Sequence, residues 1–174
     1  MKKQAVHQVH HDLLAIKDRI FSPSQLNFSE PSIEAESQEY GACEFKLNGL
    51  SVKFRVAKVT PTKIGHFVTL WKRNANKVTQ PYDISDPIDL FVISARKDNY
   101  FGHFVFPKSV LCEHDIVSVK GQGGKRGIRV YPPWDKTTSR QAQKTQAWQI
   151  NYFIEIPPDK SIDLARVRKL YNQI

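Results

Sequence analysis

Apolar positions set the outline of this chain. Val9, Leu13, Ile16 and Ile20 recur at helical spacing and predict a helix over about 5–21. Ser22-Pro23 ends it, because proline disfavours a helical residue before it. A loop follows to about 38. Residues 40–47 and 50–59 then alternate as two strands joined by Asn48-Gly49, the strongest short hairpin signal. Residues 66–73 are rich in strand formers. The run Ile88 to Ser94 is almost continuously apolar, as in a central strand buried on both faces. A short strand is expected at 103–106, a brief helix from Pro107 to Leu111, and a short strand at 128–131. Thr138 or Ser139 caps a helix to about Phe153, and a last helix covers about 162–172. The order predicts an α/β (α+β) domain, with a mixed sheet of about five strands flanked by helices.

Composition changes this picture in one respect. The 174 residues, 40% of them hydrophobic, suit one domain with one core. The formal charge is +9, but it is unevenly placed. Residues 22–45 contain five glutamates and no lysine or arginine, a local charge of −5, which leaves +14 on the rest. A basic face with an acidic edge is the expectation. Cys43 and Cys112 are far apart and form no CxxC pair, so a cysteine-based zinc site has no support. They read as buried thiols of a reducing compartment. No segment is apolar for long enough to span a membrane, and no signal-like run opens the chain. A cytoplasmic protein without a membrane partner is expected.

Basic and aromatic residues interleave most densely at 121–149. Lys125, Arg126, Arg129, Lys136, Arg140 and Lys144 alternate with Tyr131, Trp134 and Trp148, and Asp135 is the only acid. Cations attract phosphates and aromatic faces stack on bases. Glutamines 141, 143, 146 and 149 add donors. Lys58, Lys63, Trp71, Lys72 and Arg73 extend the set. Nucleic acid, DNA or RNA, is the expected partner, with the phosphate contacts on these cations and stacking on Trp71, Tyr131 and Trp134. The alternatives are a site for a small anionic molecule and a protein-interaction module. Asp89 opens the buried strand, where a metal-binding carboxylate can sit, and Lys58 is the candidate activating lysine. Asp83 and Asp86 read as turn residues beside Pro81 and Pro87. His7 and His11 have metal-ligand spacing but no third ligand, and His66 and His103, second in two identical GHFV tetrapeptides, are expected to converge across a sheet as hydrogen-bonded structural histidines. No cofactor is evident, and the GxxxxGK[ST] loop is absent.

Four segments carry a resemblance: AKVTPTKIGHFVTLWKR, PYDISDPIDLFVIS, FGHFVFPKSVL and GGKRGIRVYPPWDKTTSRQAQKTQAWQINYF. Together they resemble the MepB family over about 40–153. This sets an expected domain of 1–156 with a helical extension at 157–174. The resemblance implies a fold like that of restriction endonucleases. Such enzymes use an Asp followed by Glu-x-Lys on the next strand. Asp89 stands where that Asp would be. His103-Phe104-Val105 occupies the next strand, so the Glu and Lys are missing there, and Lys58 or Lys108 would have to substitute. The expectation is therefore a nuclease-like scaffold with a degenerate site, binding without strong cleavage. The rival is an active, magnesium-dependent nuclease using Asp89 and Lys58.

Overall fold

The computed structural model describes residues 8–172. Its centre is a six-stranded mixed sheet with the strand order β1-β2-β3-β8-β9-β11. These strands are β1 (Ser32–Ile33), β2 (Cys43–Leu47), β3 (Leu50–Val56), β8 (Leu90–Lys97), β9 (Tyr100–Pro107) and β11 (Phe153–Glu155). β2–β3 and β8–β9 are antiparallel hairpins, and β3 pairs with β8 in parallel. Asn48 and Gly49 sit at φ +48° and +81°, as the tight hairpin turn requires.

Strand alternation sends the apolar residues of β8 to opposite faces. Leu90 and Val92 join one core cluster, and Phe91, Ile93 and Ala95 join the other. The first face is covered by α1 (His11–Ile16), a π turn over Lys17–Phe21, and α4 (Leu164–Tyr171). The second is covered by α2 (Lys108–Glu113), α3 (Arg140–Gln149) and a small sheet. That small sheet has the order β10-β5-β4, from Gly127–Val130, His66–Thr69 and Lys58–Val59. A separate ribbon pairs β6 (Trp71–Arg73) with β7 (Thr79–Pro81).

The α+β class and the mixed sheet are as expected, and the differences are local. Helix α1 starts at His11, where the His10 Nδ1 accepts from the Asp12 amide at 3.1 Å. The start expected at residue 5, and His7 with it, lie outside the described residues. The helix expected to reach Phe153 stops at Gln149 and becomes a strand. Phe153 and Ile154 are both buried, one in each cluster, and a strand delivers successive side chains to opposite faces. This supplies the sixth strand. The run at 66–73 divides between β5 and β6, which belong to different sheets.

Helix α4 is part of the core. Val167, Leu170 and Tyr171 are buried, and Asp163 Oδ1 caps the helix by accepting from the Arg166 amide at 3.0 Å. No described helix is long and apolar enough to cross a membrane.

Candidate functional site: a lysine-rimmed cleft

His66 is where the small sheet meets the second face of the large one. β5 alternates, so His66 and Val68 point inward while Phe67 and Thr69 point out. After β10 the Tyr131-Pro132-Pro133 segment cannot continue as a strand, because proline removes donors and fixes φ. The chain turns instead, with the Asp135 amide donating to the Pro132 carbonyl at 3.0 Å. That turn lays Trp134 and Asp135 against His66. The rings of His66 and Trp134 meet edge to face at 6.2 Å, and His66 Nε2 lies 3.5 Å from Asp135 Oδ2.

These residues form the floor of a cleft of about 530 Å³. One wall is the Thr60–Gly65 loop, and the rim carries Lys63, Lys97 and Lys136. All three lysines are exposed, and none pairs with a carboxylate among the described residues. The last pair of the β8–β9 hairpin supplies Lys97, at the end of β8, and Tyr100, at the start of β9, which stacks on Trp134 at 5.3 Å. Arg129 holds the loop from β10. Its guanidinium donates to Thr60 Oγ1 at 2.9 Å and to the Gly65 carbonyl at 3.3 Å. Gly65 has φ +89°, and a Cβ there would stand 2.6 Å from the Tyr131 ring, so the loop needs glycine at this point.

The floor is electrostatically unusual. His66 is almost fully buried, and neither ring nitrogen makes a hydrogen bond. The same is true of Trp134 Nε1 and Asp135 Oδ2. Burial pushes His66 down to about 4, with Lys97 and Arg129 adding to the effect, so the ring is neutral at pH 7. Burial pushes Asp135 upward, and Lys97 opposes that shift.

A second cleft, of about 380 Å³, lies between β10 and α3. Lys125, Arg129, Tyr131, His114 and Trp148 line it, and the last two stack with ring centres 3.8 Å apart. Arg140 and Lys144 are exposed on α3. Gln141 and Gln143 of that helix are exposed, whereas Gln146 and Gln149 turn inward. Gln149 receives the Tyr131 amide and donates to the Arg129 carbonyl, while Gln146 donates to the carbonyls of Pro132 and Asp135. They fix the 129–137 segment and are not free to reach bases.

A family model described as MepB-like matches residues 34–155. The chain belongs to the MepB-like family. A solved structure described as the crystal structure of MepB is similar at 32% identity and TM-score 0.74, covering 87% of this chain and 99% of that one. Among curated proteins nothing matches. Both clefts lie within the MepB-like residues, whereas α1 and α4 lie outside them.

Within this MepB-like domain the expected site residues separate into groups. Lys63 and Trp134 meet at the first cleft, and Lys125, Arg129 and Tyr131 line the second. Arg126 is exposed, and its contact is a 3.5 Å approach to Thr79 Oγ1. Lys58 lies over the Tyr40 ring at 4.7 Å, outside both clefts. Trp71, Lys72 and Arg73 are on the β6–β7 ribbon, where Lys72 pairs with Asp86 at 2.5 Å and Arg73 pairs with Glu36. These two cations are neutralised within the chain. Lys97 was not among the expected residues. Its signal is Arg96-Lys97-Asp98-Asn99, a charged turn closing an apolar run, which places a cation at a hairpin tip.

Asp89 and Lys58 do not form a site. Asp89 accepts from the Ser51 amide at 2.8 Å beside the start of β3, while Lys58 follows the end of that strand. Seven residues of extended chain separate these points by roughly 20 Å. Lys108 donates to the Asp86 carbonyl at 2.8 Å. Lys58 is therefore out of reach of Asp89, whereas Lys108 lies beside it, its amide donating to the Asp89 carbonyl at 3.1 Å. The one grouping of three ligating side chains among the described residues is His10, His11 and Asp12, and Asp12 is already held by Ser94 and Arg96. His66 and His103 also stay apart. His103 faces α4 across the other side of the large sheet, bonded to Tyr171.

Proposed function

We propose that this protein binds nucleic acid along the two clefts that flank β10, without cleaving it. The observation that carries the reading is the ring of three unpaired lysines, Lys63, Lys97 and Lys136, around a cleft with Trp134 in its floor. Exposed lysines that have no internal partner are free to replace the counterions of a phosphate backbone. Lys125, Arg126, Arg140 and Lys144 continue the positive surface around the second cleft, where Tyr131 supplies a face for stacking. Three of the five acids of 22–45 are neutralised within the chain, Glu34, Glu36 and Glu44 by Arg55, Arg73 and Lys53. What supports binding without cleavage is the distance of Asp89 from Lys58 and the engagement of the Lys108 ammonium by the Asp86 carbonyl.

The test is fluorescence anisotropy of labelled single-stranded DNA, duplex DNA and structured RNA over a salt series. The expected result is log-linear weakening with salt, and a slope lowered by about 0.7–0.9 for each phosphate-contacting lysine removed in Lys97→Ala and Lys136→Ala. Absence of binding at low salt, or an unchanged slope in both variants, overturns the proposal.

A further inference from the structure

Four buried polar atoms without a hydrogen bond belong to residues of one cleft: both nitrogens of His66, Trp134 Nε1 and Asp135 Oδ2, with His66 Nε2 and Asp135 Oδ2 3.5 Å apart. Only three further such atoms occur among the described residues, on Ser24, Arg55 and His103, and none of these residues lines that cleft. An unpaired buried donor or acceptor is destabilising, so a cluster of them calls for a ligand that completes it.

The chemistry of the cluster narrows that ligand. Trp134 Nε1–H only donates and the Asp135 carboxylate only accepts. Neutral His66 offers one donor and one acceptor. Inorganic phosphate presents acceptors almost exclusively and would be repelled by Asp135, so it does not fit the floor. It does fit the rim of Lys63, Lys97 and Lys136. A single molecule that suits both levels carries a phosphate at one end and a planar head with N–H donors and carbonyl or ring-nitrogen acceptors at the other. We infer that the cleft takes one nucleoside monophosphate unit, with its phosphate on the lysine rim and its base edge on His66, Trp134 and Asp135. The cleft volume of about 530 Å³ lies in the range of small-ligand sites. The floor atoms are themselves buried, so the cleft must open around the base for it to reach them. The unit is free or part of a strand, and in the second case the inference rests on the nucleic-acid reading above.

The experiment titrates the full chain with the common nucleoside monophosphates, their unphosphorylated nucleosides and inorganic phosphate, read by thermal shift and calorimetry. Oligonucleotide anisotropy runs in parallel. At least one monophosphate is expected to bind about tenfold or more tightly than inorganic phosphate. The near-isosteric Asp135→Asn should remove that preference, and Lys97→Ala should weaken the monophosphate but not the nucleoside. Monophosphates no tighter than phosphate, or a preference unchanged in Asp135→Asn, overturn the inference. Oligonucleotide binding without monophosphate preference sinks this inference alone. Monophosphate preference without oligonucleotide binding supports a free-nucleotide site and sinks the strand reading.

Discussion

His103 on β9 and Tyr171 on α4, 68 residues apart in sequence, meet at 2.8 Å between Nε2 and the hydroxyl, both deeply buried. The contact ties the last described helix to the middle of the large sheet. Tyr171→Phe keeps the ring packing against Phe21 but strands His103, whose Nδ1 is already unpartnered. The expected loss is about 1–3 kcal/mol of stability, measured by urea denaturation. A variant as stable as the parent would show that the hydroxyl contributes nothing.

The paired and unpaired cations should behave differently in nucleic-acid binding. Lys72→Ala with Arg73→Ala removes cations already matched by Asp86 and Glu36. That double variant should leave the salt slope close to the parent value, whereas Lys63→Ala with Lys97→Ala lowers it. Equal slopes for the two pairs, from the same anisotropy series, would contradict the assignment of the binding face.

Stability should fall on mild acidification. Burial holds His66 down to about 4 and His103 down to about 3, below the value of about 6.5 for an exposed histidine. Between these limits the unfolded chain binds more protons than the folded one, so stability is full above about 6.5 and drains as pH drops below it. Asp135, pushed upward, acts in the opposite direction and offsets part of the loss at lower pH. Urea midpoints at about pH 7, 6 and 5 should decline in that order. A flat or rising series would be inconsistent with two buried neutral histidines.

Gly102 should not tolerate a side chain. A Cβ there would lie 2.6 Å from the Ile154 carbonyl and against the Phe153 ring, both on the neighbouring β11. Gly102→Ala is expected to cost about 1–3 kcal/mol by overpacking and to loosen the sheet edge. Its unfolding midpoint decides the matter, with no shift counting against the close approach.

The two thiols should differ in reactivity. Cys43 is buried on β2, and burial pushes its thiol up to about 12. Cys112 is only half buried. An aromatic disulfide reagent at mildly alkaline pH should label Cys112 in the folded protein and Cys43 only after unfolding. Equal labelling rates would be incompatible with this placement.

Much of the fold was legible because periodicity is a local signal. The Asn48-Gly49 hairpin, the doubly buried run before Ser94 and the capped helix after Ser139 all depend on neighbours in sequence. β11 was not legible, since Phe153 and Ile154 become strand only because two cores need one side chain each. The site was half legible. Trp134 and Lys63 were visible as part of a basic, aromatic pattern, and the identity of His66 drew notice. Their meeting with Lys97 and Asp135 depends on the β8–β9 hairpin tip and the Pro132–Asp135 turn arriving at the same place, which no spacing along the chain encodes. Lys72 and Arg73 look like phosphate ligands in sequence because their partners, Asp86 and Glu36, lie 14 and 37 residues away.

The sheet joins two local hairpins through one parallel seam. Within β2–β3 and β8–β9 the partners are close in sequence, and such hairpins form in about 1–10 μs. Across the seam Val52 meets Leu90, a separation of 38 residues, and everything between them must be looped out first. Loop closure precedes the reward of that contact, so the seam sets the folding speed. Truncating Phe54, buried in the seam strand, should therefore slow refolding as well as destabilise, and Leu47→Ala, which removes a hairpin contact made before the docking step, should slow refolding too. The chain assembles, on this view, as two prefabricated halves whose docking is the committed step.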